Sequence, residues 1–186
     1  MPYIDQIDYE RSSGELRDIY DELISSRGKL ANIHMIQSLH PKSITAHMKL
    51  YMELMFGKSP LRRYQRELLG VVVSRANNCN YCIKHHAEAL NFFWKDEVKT
   101  NAFAEDYKSV ELKRKDYLLA EMAEKLTREP NYAGKEQLLD ALRAEKLDDR
   151  AILDATLIIA YFNFVNRIVL NTGLNLEENH GGYKYE

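Results

Sequence analysis

At 186 residues the chain is long enough for one domain with a substantial core, and its 45% hydrophobic and 29% charged residues are usual for a globular protein. The formal net charge of −2 and the lack of any basic run exclude the surface that nucleic-acid binding requires. The N-terminal stretch M-P-Y-I-D-Q-I-D-Y-E is acidic and has no apolar centre, so we expect no signal peptide. We expect no membrane span either, because the longest nearly apolar run, Ala155 to Val165, is too short to cross a bilayer.

Apolar residues recur at helical spacing along the chain, whereas no stretch longer than a few residues alternates with the period of a strand. We therefore predict an all-α fold of about eight helices in a single domain, 1–186, with a polar tail from about residue 174. The predicted helices lie around 16–23, 44–55, 61–76, 79–93, 97–104, 112–126, 138–142 and 150–170.

The helix over 61–76 and the helix that follows it are predicted to pack as an antiparallel hairpin. Paired asparagines favour a turn because their side chains compete for backbone hydrogen bonds, so the chain should break at Asn77 and Asn78. Glu67 lies about eleven residues before this turn and His86 about eight after it, which at roughly 1.5 Å per residue gives similar depths. We therefore predict a hydrogen bond between the Glu67 carboxylate and the His86 imidazole.

The only two cysteines, Cys79 and Cys82, stand in C-x-x-C spacing at the start of the second helix. Unpaired N–H groups and the helix dipole at such a position favour the thiolate and lower the pKa of a thiol. His86 follows Cys82 by four residues and shares its helix face, so a thiol pair, a base and a group that orients the base come together. Two other interpretations stay open, inert core cysteines and a metal site of Cys79, Cys82, His85 and His86.

The spacing of Glu67, Cys79, Cys82 and His86, written E-x11-C-x2-C-x3-H, resembles the signature of the AhpD-like alkyl hydroperoxidases within the carboxymuconolactone decarboxylase superfamily. The doubled histidine in C-N-Y-C-I-K-H-H and the later Y-F-N-F-V-N-R resemble a branch called peroxidase-related proteins. The resemblance extends from about residue 16 to about residue 176. It implies an AhpD-like helical bundle that has its active site on a helix hairpin and assembles into homo-oligomers.

By this resemblance the protein is expected to reduce alkyl hydroperoxides through a dithiol–disulfide cycle. Cys82 would attack the peroxide, Cys79 would resolve it as a Cys79–Cys82 disulfide, and His86 with Glu67 would relay protons. The expected partners are a hydroperoxide substrate and an external dithiol reductant, with no bound cofactor and no metal. Because such a redox-active pair suits a reducing compartment, a cytoplasmic location is expected.

Tyr81 departs from the family pattern, since the best-studied members carry a histidine just before the second cysteine. A phenol has an unperturbed pKa of about 10, so it can donate a hydrogen bond but cannot act as a base near neutral pH. Two alternative hypotheses are a non-redox carboxymuconolactone decarboxylase-like enzyme that uses His86 and Glu67, and a non-enzymatic thiol redox sensor. Several polar residues beside the apolar stripes are interpreted chiefly as structural: His34, His40, His47, Asn163, Asn166 and Arg167.

Overall fold

Helices make up most of this computed structural model, which describes residues 2–178 and 180–184. Within those residues the chain forms nine α-helices, one 3-10 helix and no strand, so the predicted all-α fold is confirmed. The number exceeds the expected eight because the chain adds a four-residue helix before Pro41. The elements are α1 (Gly14–Arg27), α2 (Asn32–Met35), α3 (Pro41–Phe56), α4 (Arg63–Ala76), α5 (Asn80–Trp94), α6 (Glu97–Glu105), the 3-10 helix (Tyr107–Ser109), α7 (Arg114–Arg128), α8 (Lys135–Ala144) and α9 (Asp149–Thr172).

The central helix of the bundle is α4, which packs against α5, α7 and α9. Every side chain from 65 to 74 is buried, polar ones included, because neighbouring helices surround it. It begins at Arg63 rather than at the predicted Leu61, since the Leu61 amide donates to the Ser59 hydroxyl (3.1 Å) in the turn that precedes the helix. This central helix carries Glu67, so that carboxylate lies inside the protein.

The longest helix is α9, which begins where the acidic residues predicted a start. The Asp148 carboxylate accepts a hydrogen bond from the Ala151 amide (2.8 Å) and caps the helix. By length and composition alone α9 could cross a membrane, so the short apolar run from Ala155 to Val165 does not by itself exclude a span. However, 56% of its most apolar window is buried, and it packs against α3, α4, α5, α7 and α8. This burial is typical of a core helix in a globular protein.

The hairpin of α4 and α5 turns at the predicted asparagine pair. Asn78 adopts a left-handed conformation (φ 56°), and the Cys79 amide donates to the Ser74 carbonyl (2.9 Å), so that α5 can begin at Asn80. The Asn77 side-chain amide donates to Asn163 and to Asn166 of α9, at 3.0 Å each. The turn is therefore fixed to the core helix, as the structural interpretation of these asparagines predicted.

The polar tail after α9 folds back over α2 and α5 within the same chain. The Asn32 side-chain amide donates to the Asn175 carbonyl (3.0 Å), and the Gly182 amide donates to Glu88 Oε1 (2.9 Å). Tyr183 packs its ring 5.6 Å from the ring of His85. The described part of the tail thus covers one side of the candidate site.

Candidate active site

The predicted pair of Glu67 and His86 forms across the hairpin. His86 Nδ1 lies 2.8 Å from Glu67 Oε2, and the two side chains are 13% and 1% exposed. Because a carboxylate only accepts, Nδ1 carries the proton in the neutral imidazole. His86 Nε2 therefore keeps a lone pair and can act as a base.

Arg63 completes this pair, although the sequence analysis did not single it out. Its Nη2 lies 2.8 Å from Glu67 Oε1, so each carboxylate oxygen has its own partner. Burial alone would raise the pKa of Glu67, but the hydrogen bonds and charges of His86 and Arg63 outweigh it and hold that pKa below its usual value. Glu67 thus stays ionised and orients the imidazole.

Gly70 makes room for the His86 ring. A Cβ at this position of α4 would lie 2.9 Å from His86 Cγ and 3.0 Å from Phe162 Cε2. The imidazole packs edge-on against the Phe162 ring, with the centroids 4.2 Å apart. The orientation of His86 is therefore fixed by the backbone of α4 below and by α9 beside it.

Cys79 and Cys82 are both free thiols and both buried. Their sulfur atoms are 2.6 Å apart, with the Cys79 thiol directed at Cys82. Cys79 is the N-cap residue of α5, one position before the first turn in which it was predicted to lie, and Cys82 lies in the first turn of the helix. The two thiols are therefore close enough to pair with little movement of the backbone.

The two thiols differ in how readily they ionise. The hydrogen bond shared with Cys82 lowers the pKa of Cys79, against the opposing effect of burial. Burial raises the pKa of Cys82 well above the usual value, and the neighbouring Cys79 raises it further, although a hydrogen bond from Asn166 acts in the opposite direction. The first negative charge of the pair therefore belongs on Cys79, stabilised by the Cys82 thiol.

A cavity of about 110 Å³ reaches this centre. Cys82 lines it, whereas Cys79 does not. Glu67 and His86 also line it, so three of the four predicted site residues share one cavity with the fourth directly behind. Its other walls come from α1, α2, α3, α9 and the tail. A small molecule that enters the cavity would meet Cys82 first.

Tyr81, at the position of the family histidine, belongs to a second polar cluster on the cavity wall. Its hydroxyl donates to Glu177 Oε1 (2.8 Å), and burial, followed by the charge of Glu177, raises the pKa of Tyr81 well above its usual value. The other oxygen of Glu177 lies 2.9 Å from His85 Nε2. Burial would raise the pKa of Glu177, but hydrogen bonds from His85 and the Asn32 amide hold it at about 2. The Tyr81 hydroxyl therefore donates its hydrogen to Glu177 of the tail.

A third polar cluster joins Gln37 to His47 and Tyr161, and the last two line the cavity. The Gln37 amide nitrogen donates to the Ile33 carbonyl (2.7 Å) and to His47 Nδ1 (2.8 Å). His47 therefore carries its proton on Nε2, which donates to the Tyr161 hydroxyl oxygen (2.6 Å). Burial lowers the pKa of His47 to about 4, so this ring is neutral at physiological pH. The Tyr161 hydrogen is left to donate into the cavity.

Some of these groups could be anticipated from the sequence and others could not. Arg63 stands four residues before Glu67, a spacing that favours an ion pair on a helix. His47 and Tyr161 are separated by 114 residues, and no local pattern links them.

Among the described residues no group of three or more His, Cys, Asp or Glu side chains could hold a metal ion, so the metal interpretation gains no support.

An all-helical bundle with a C-x-x-C thiol pair beside an imidazole–carboxylate pair on a helix hairpin is the arrangement expected of AhpD-like proteins. The model of the carboxymuconolactone decarboxylase family matches residues 41–91, which include all four predicted site residues. This match bears out the resemblance to the carboxymuconolactone decarboxylase superfamily over these residues, and the structural neighbours below show the fold of the chain.

Solved structures of the same fold cover nearly the whole chain. An uncharacterized peroxidase-related protein from Silicibacter sp. TM1040 has a TM-score of 0.88 at 23% identity, covering 100% of this chain and 96% of its own. An AhpD-core peroxidase-related protein from Ralstonia eutropha JMP134 has a TM-score of 0.87 at 21% identity, covering 96% and 94%. The debrominase Bmp8 has a TM-score of 0.77 at 16% identity, covering 94% and 92%.

A cysteine-to-alanine variant of that debrominase has been crystallised with 2,3,4-tribromopyrrole. No curated protein matches the sequence significantly. At these identities the neighbours establish the fold of the chain, and its chemistry has to be argued from its own residues.

Proposed function

We propose that this protein is a thiol-dependent, peroxidase-related oxidoreductase that reduces small hydroperoxides through a Cys79–Cys82 dithiol–disulfide cycle. The observation that carries the proposal is the cavity that ends on Cys82, with the Cys79 sulfur 2.6 Å behind it. The imidazole of His86, oriented by Glu67, lines the same cavity. One thiol is thus accessible to a substrate, one is placed to resolve, and one base is available.

In the first step the Cys82 thiol gives its proton to His86 Nε2 and the thiolate attacks the outer peroxide oxygen. The S–O bond forms as the O–O bond breaks, which yields a Cys82 sulfenic acid and an alkoxide. The imidazolium, stabilised by the ionised Glu67, returns its proton to the alkoxide, and the alcohol leaves. Cys79 is the thiol that ionises more readily, but only Cys82 lines the cavity. We therefore assign the attack on the peroxide to Cys82.

In the second step the Cys79 sulfur attacks the Cys82 sulfenic sulfur. The disulfide forms, and the departing hydroxide takes the Cys79 proton and leaves as water. The balance is one dithiol and one hydroperoxide giving one disulfide, one alcohol and one water. An external dithiol then reduces the disulfide by thiol–disulfide exchange and is itself oxidised. No bound cofactor or metal enters this cycle, and its need for a dithiol supply fits the reducing cytoplasm.

A homo-oligomer is part of the same proposal. The outer face of α9 exposes Leu153, Leu157 and Phe164, which are 53%, 42% and 49% exposed and follow one another at helical spacing. An apolar stripe of this kind on a core helix is suited to burial against a second copy of the chain.

A second candidate is reductive dehalogenation of a small haloaromatic compound by the same dithiol. The structural likeness to a debrominase favours it, as do the rings of Tyr161 and Phe162 in the cavity wall. In that reaction the dithiol supplies two electrons, the carbon–bromine bond is replaced by a carbon–hydrogen bond, bromide leaves and the disulfide forms.

A third candidate, a non-redox decarboxylase-like reaction, would use His86 and Glu67 alone, and the match to the decarboxylase family model favours it.

Steady-state assays separate these functions. With dithiothreitol as the reductant, the wild-type protein should consume tert-butyl hydroperoxide, and both Cys79→Ser and Cys82→Ser should fall to background. Glu67→Gln should lower turnover by up to about 10²-fold, because the His86 base loses the carboxylate that stabilises its imidazolium form. Bromide release from 2,3,4-tribromopyrrole without hydroperoxide consumption would favour dehalogenation. Hydroperoxide turnover that survives in Cys82→Ser would overturn the proposal.

A further inference from the structure

Arg27 is a buried cation without a counter-ion. It closes the last turn of α1, is 6% exposed and lines the cavity that reaches Cys82. Within residues 2–178 and 180–184 it makes no hydrogen bond and no ion pair through its side chain. Its recorded contacts are the rings of Phe56 and Tyr51, whose centroids lie 4.7 and 5.5 Å from the guanidinium carbon.

Such a placement is costly unless an anion completes it. Removing a guanidinium from water without a paired charge is unfavourable, and cation–π contacts with two rings offset only part of that cost. The guanidinium donates to no described side chain, and its planar fork suits a carboxylate that enters the cavity. A cavity that keeps this group unpaired is therefore prepared for an anionic ligand.

The carboxylates near the cavity are already committed elsewhere. Glu67 is shared between His86 and Arg63. Glu177 accepts from the Tyr81 hydroxyl and pairs with His85. The other titratable groups on the wall are imidazoles, phenols and the Cys82 thiol, none of which is a carboxylate. Glu88, beside the tail, accepts from the Gly182 amide at one oxygen and forms no ion pair with Arg27. None of these groups therefore serves as the counter-ion of Arg27.

We propose that the substrate carries a carboxylate, which Arg27 binds in the cavity while its reactive group reaches Cys82. This inference rests on the proposed function and narrows its substrate class to small hydroperoxides of carboxylic acids. A cavity of about 150 Å³ holds a benzene molecule, so the 110 Å³ here suits a substrate of only a few heavy atoms beyond the groups that react. The carboxylate also neutralises Arg27, so that binding relieves the unpaired charge.

The test compares two alkylating agents of nearly equal size, anionic iodoacetate and neutral iodoacetamide. Each reacts with the Cys82 thiolate to form a sulfur–carbon bond as iodide leaves. The ratio of the two rates cancels the thiolate fraction, which is common to both reagents. Rates are read by intact mass, and peptide mapping identifies the cysteine that was modified.

The iodoacetate-to-iodoacetamide ratio should fall by about tenfold or more in Arg27→Met, because the attraction between the two charges is lost. Arg27→Lys, which keeps the charge, should retain most of the preference and shows whether the site survives substitution. Arg17→Met removes a charge from the same helix, away from the cavity, and should leave the ratio unchanged. Circular dichroism establishes that each variant is folded.

An equal ratio in the wild-type protein and Arg27→Met would overturn the inference. A carboxylate of a second subunit that already pairs with Arg27 would produce this result. Alkylation needs neither peroxide nor a disulfide. A protein that prefers iodoacetate but never consumes hydroperoxides would therefore refute the proposed function and leave the anion site standing. Hydroperoxide turnover with equal alkylation ratios would do the reverse.

Discussion

Acid should destabilise the fold because His34 and His47 are buried as neutral imidazoles. Burial lowers the pKa of His47 to about 4. Burial, with a contribution from the neighbouring His47, lowers the pKa of His34 to about 3. In the unfolded chain both should titrate near 6.5. As the pH falls below 6.5 the unfolded state takes up protons first, so the free energy of unfolding decreases until each folded-state pKa is reached.

The size of the effect follows from these values. At pH 5.0 the unfolded-state pKa lies about 1.5 units above the pH, which at 1.36 kcal/mol per unit is about 2 kcal/mol for each histidine. Both rings are still neutral in the folded state at this pH, so their contributions add to about 4 kcal/mol. This loss is a large part of the stability of an ordinary domain.

Urea unfolding at pH 7.5 and pH 5.0 measures the loss directly. His47→Gln should reduce the difference between the two pH values by about 2 kcal/mol, because one buried imidazole is gone. The carboxylates contribute equally to the pH dependence of the unfolding free energy in every variant, so their contribution cancels when variants are compared. His40→Gln removes an exposed histidine and should keep the wild-type difference. An unchanged difference in both His34→Gln and His47→Gln would refute the reasoning.

Three further substitutions examine the walls of the site. Gly70→Ala should destabilise the protein and slow turnover, because the added Cβ would lie 2.9 Å from the His86 ring. At an open helix position the same change would stabilise the protein by about 1 kcal/mol. A raised melting temperature would therefore contradict the close packing at Gly70. Tyr161→Phe should cost about 1–3 kcal/mol in urea unfolding, because His47 loses its acceptor, and a smaller loss would speak against this hydrogen bond. Glu177→Gln should speed amide exchange in the tail by about tenfold, since the charged pairing with His85 is lost, whereas unchanged exchange would mean that other contacts hold the tail.

The parts of this structure that the sequence predicted are those set by local geometry. The depth of Glu67 and His86 below the Asn77–Asn78 turn follows from the fixed rise of a helix, and the 2.8 Å hydrogen bond between them agrees with that count. The position of Cys79 at the start of α5 follows from the same turn. These contacts join residues that are fewer than twenty apart.

The parts that sequence reasoning missed depend on long-range packing. His47 was interpreted as a packing residue, yet it orients Tyr161 from a helix distant in sequence. No local pattern in the sequence marks Arg27, because its burial depends on the packing of α1 against α3. Spacing also does not reveal which thiol faces the cavity. That distinction comes from the position of α9 and the tail around Cys82.

The most direct test of the redox cycle is the intact mass of the reduced protein before and after one equivalent of tert-butyl hydroperoxide, timed in seconds. The wild-type chain should lose two hydrogens as the Cys79–Cys82 disulfide forms. Cys79→Ser should instead gain one oxygen on Cys82, trapped with dimedone, and Cys82→Ser should show no change. An unchanged wild-type mass after minutes, or oxygen gained on Cys79 in Cys82→Ser at the wild-type rate, would contradict the account.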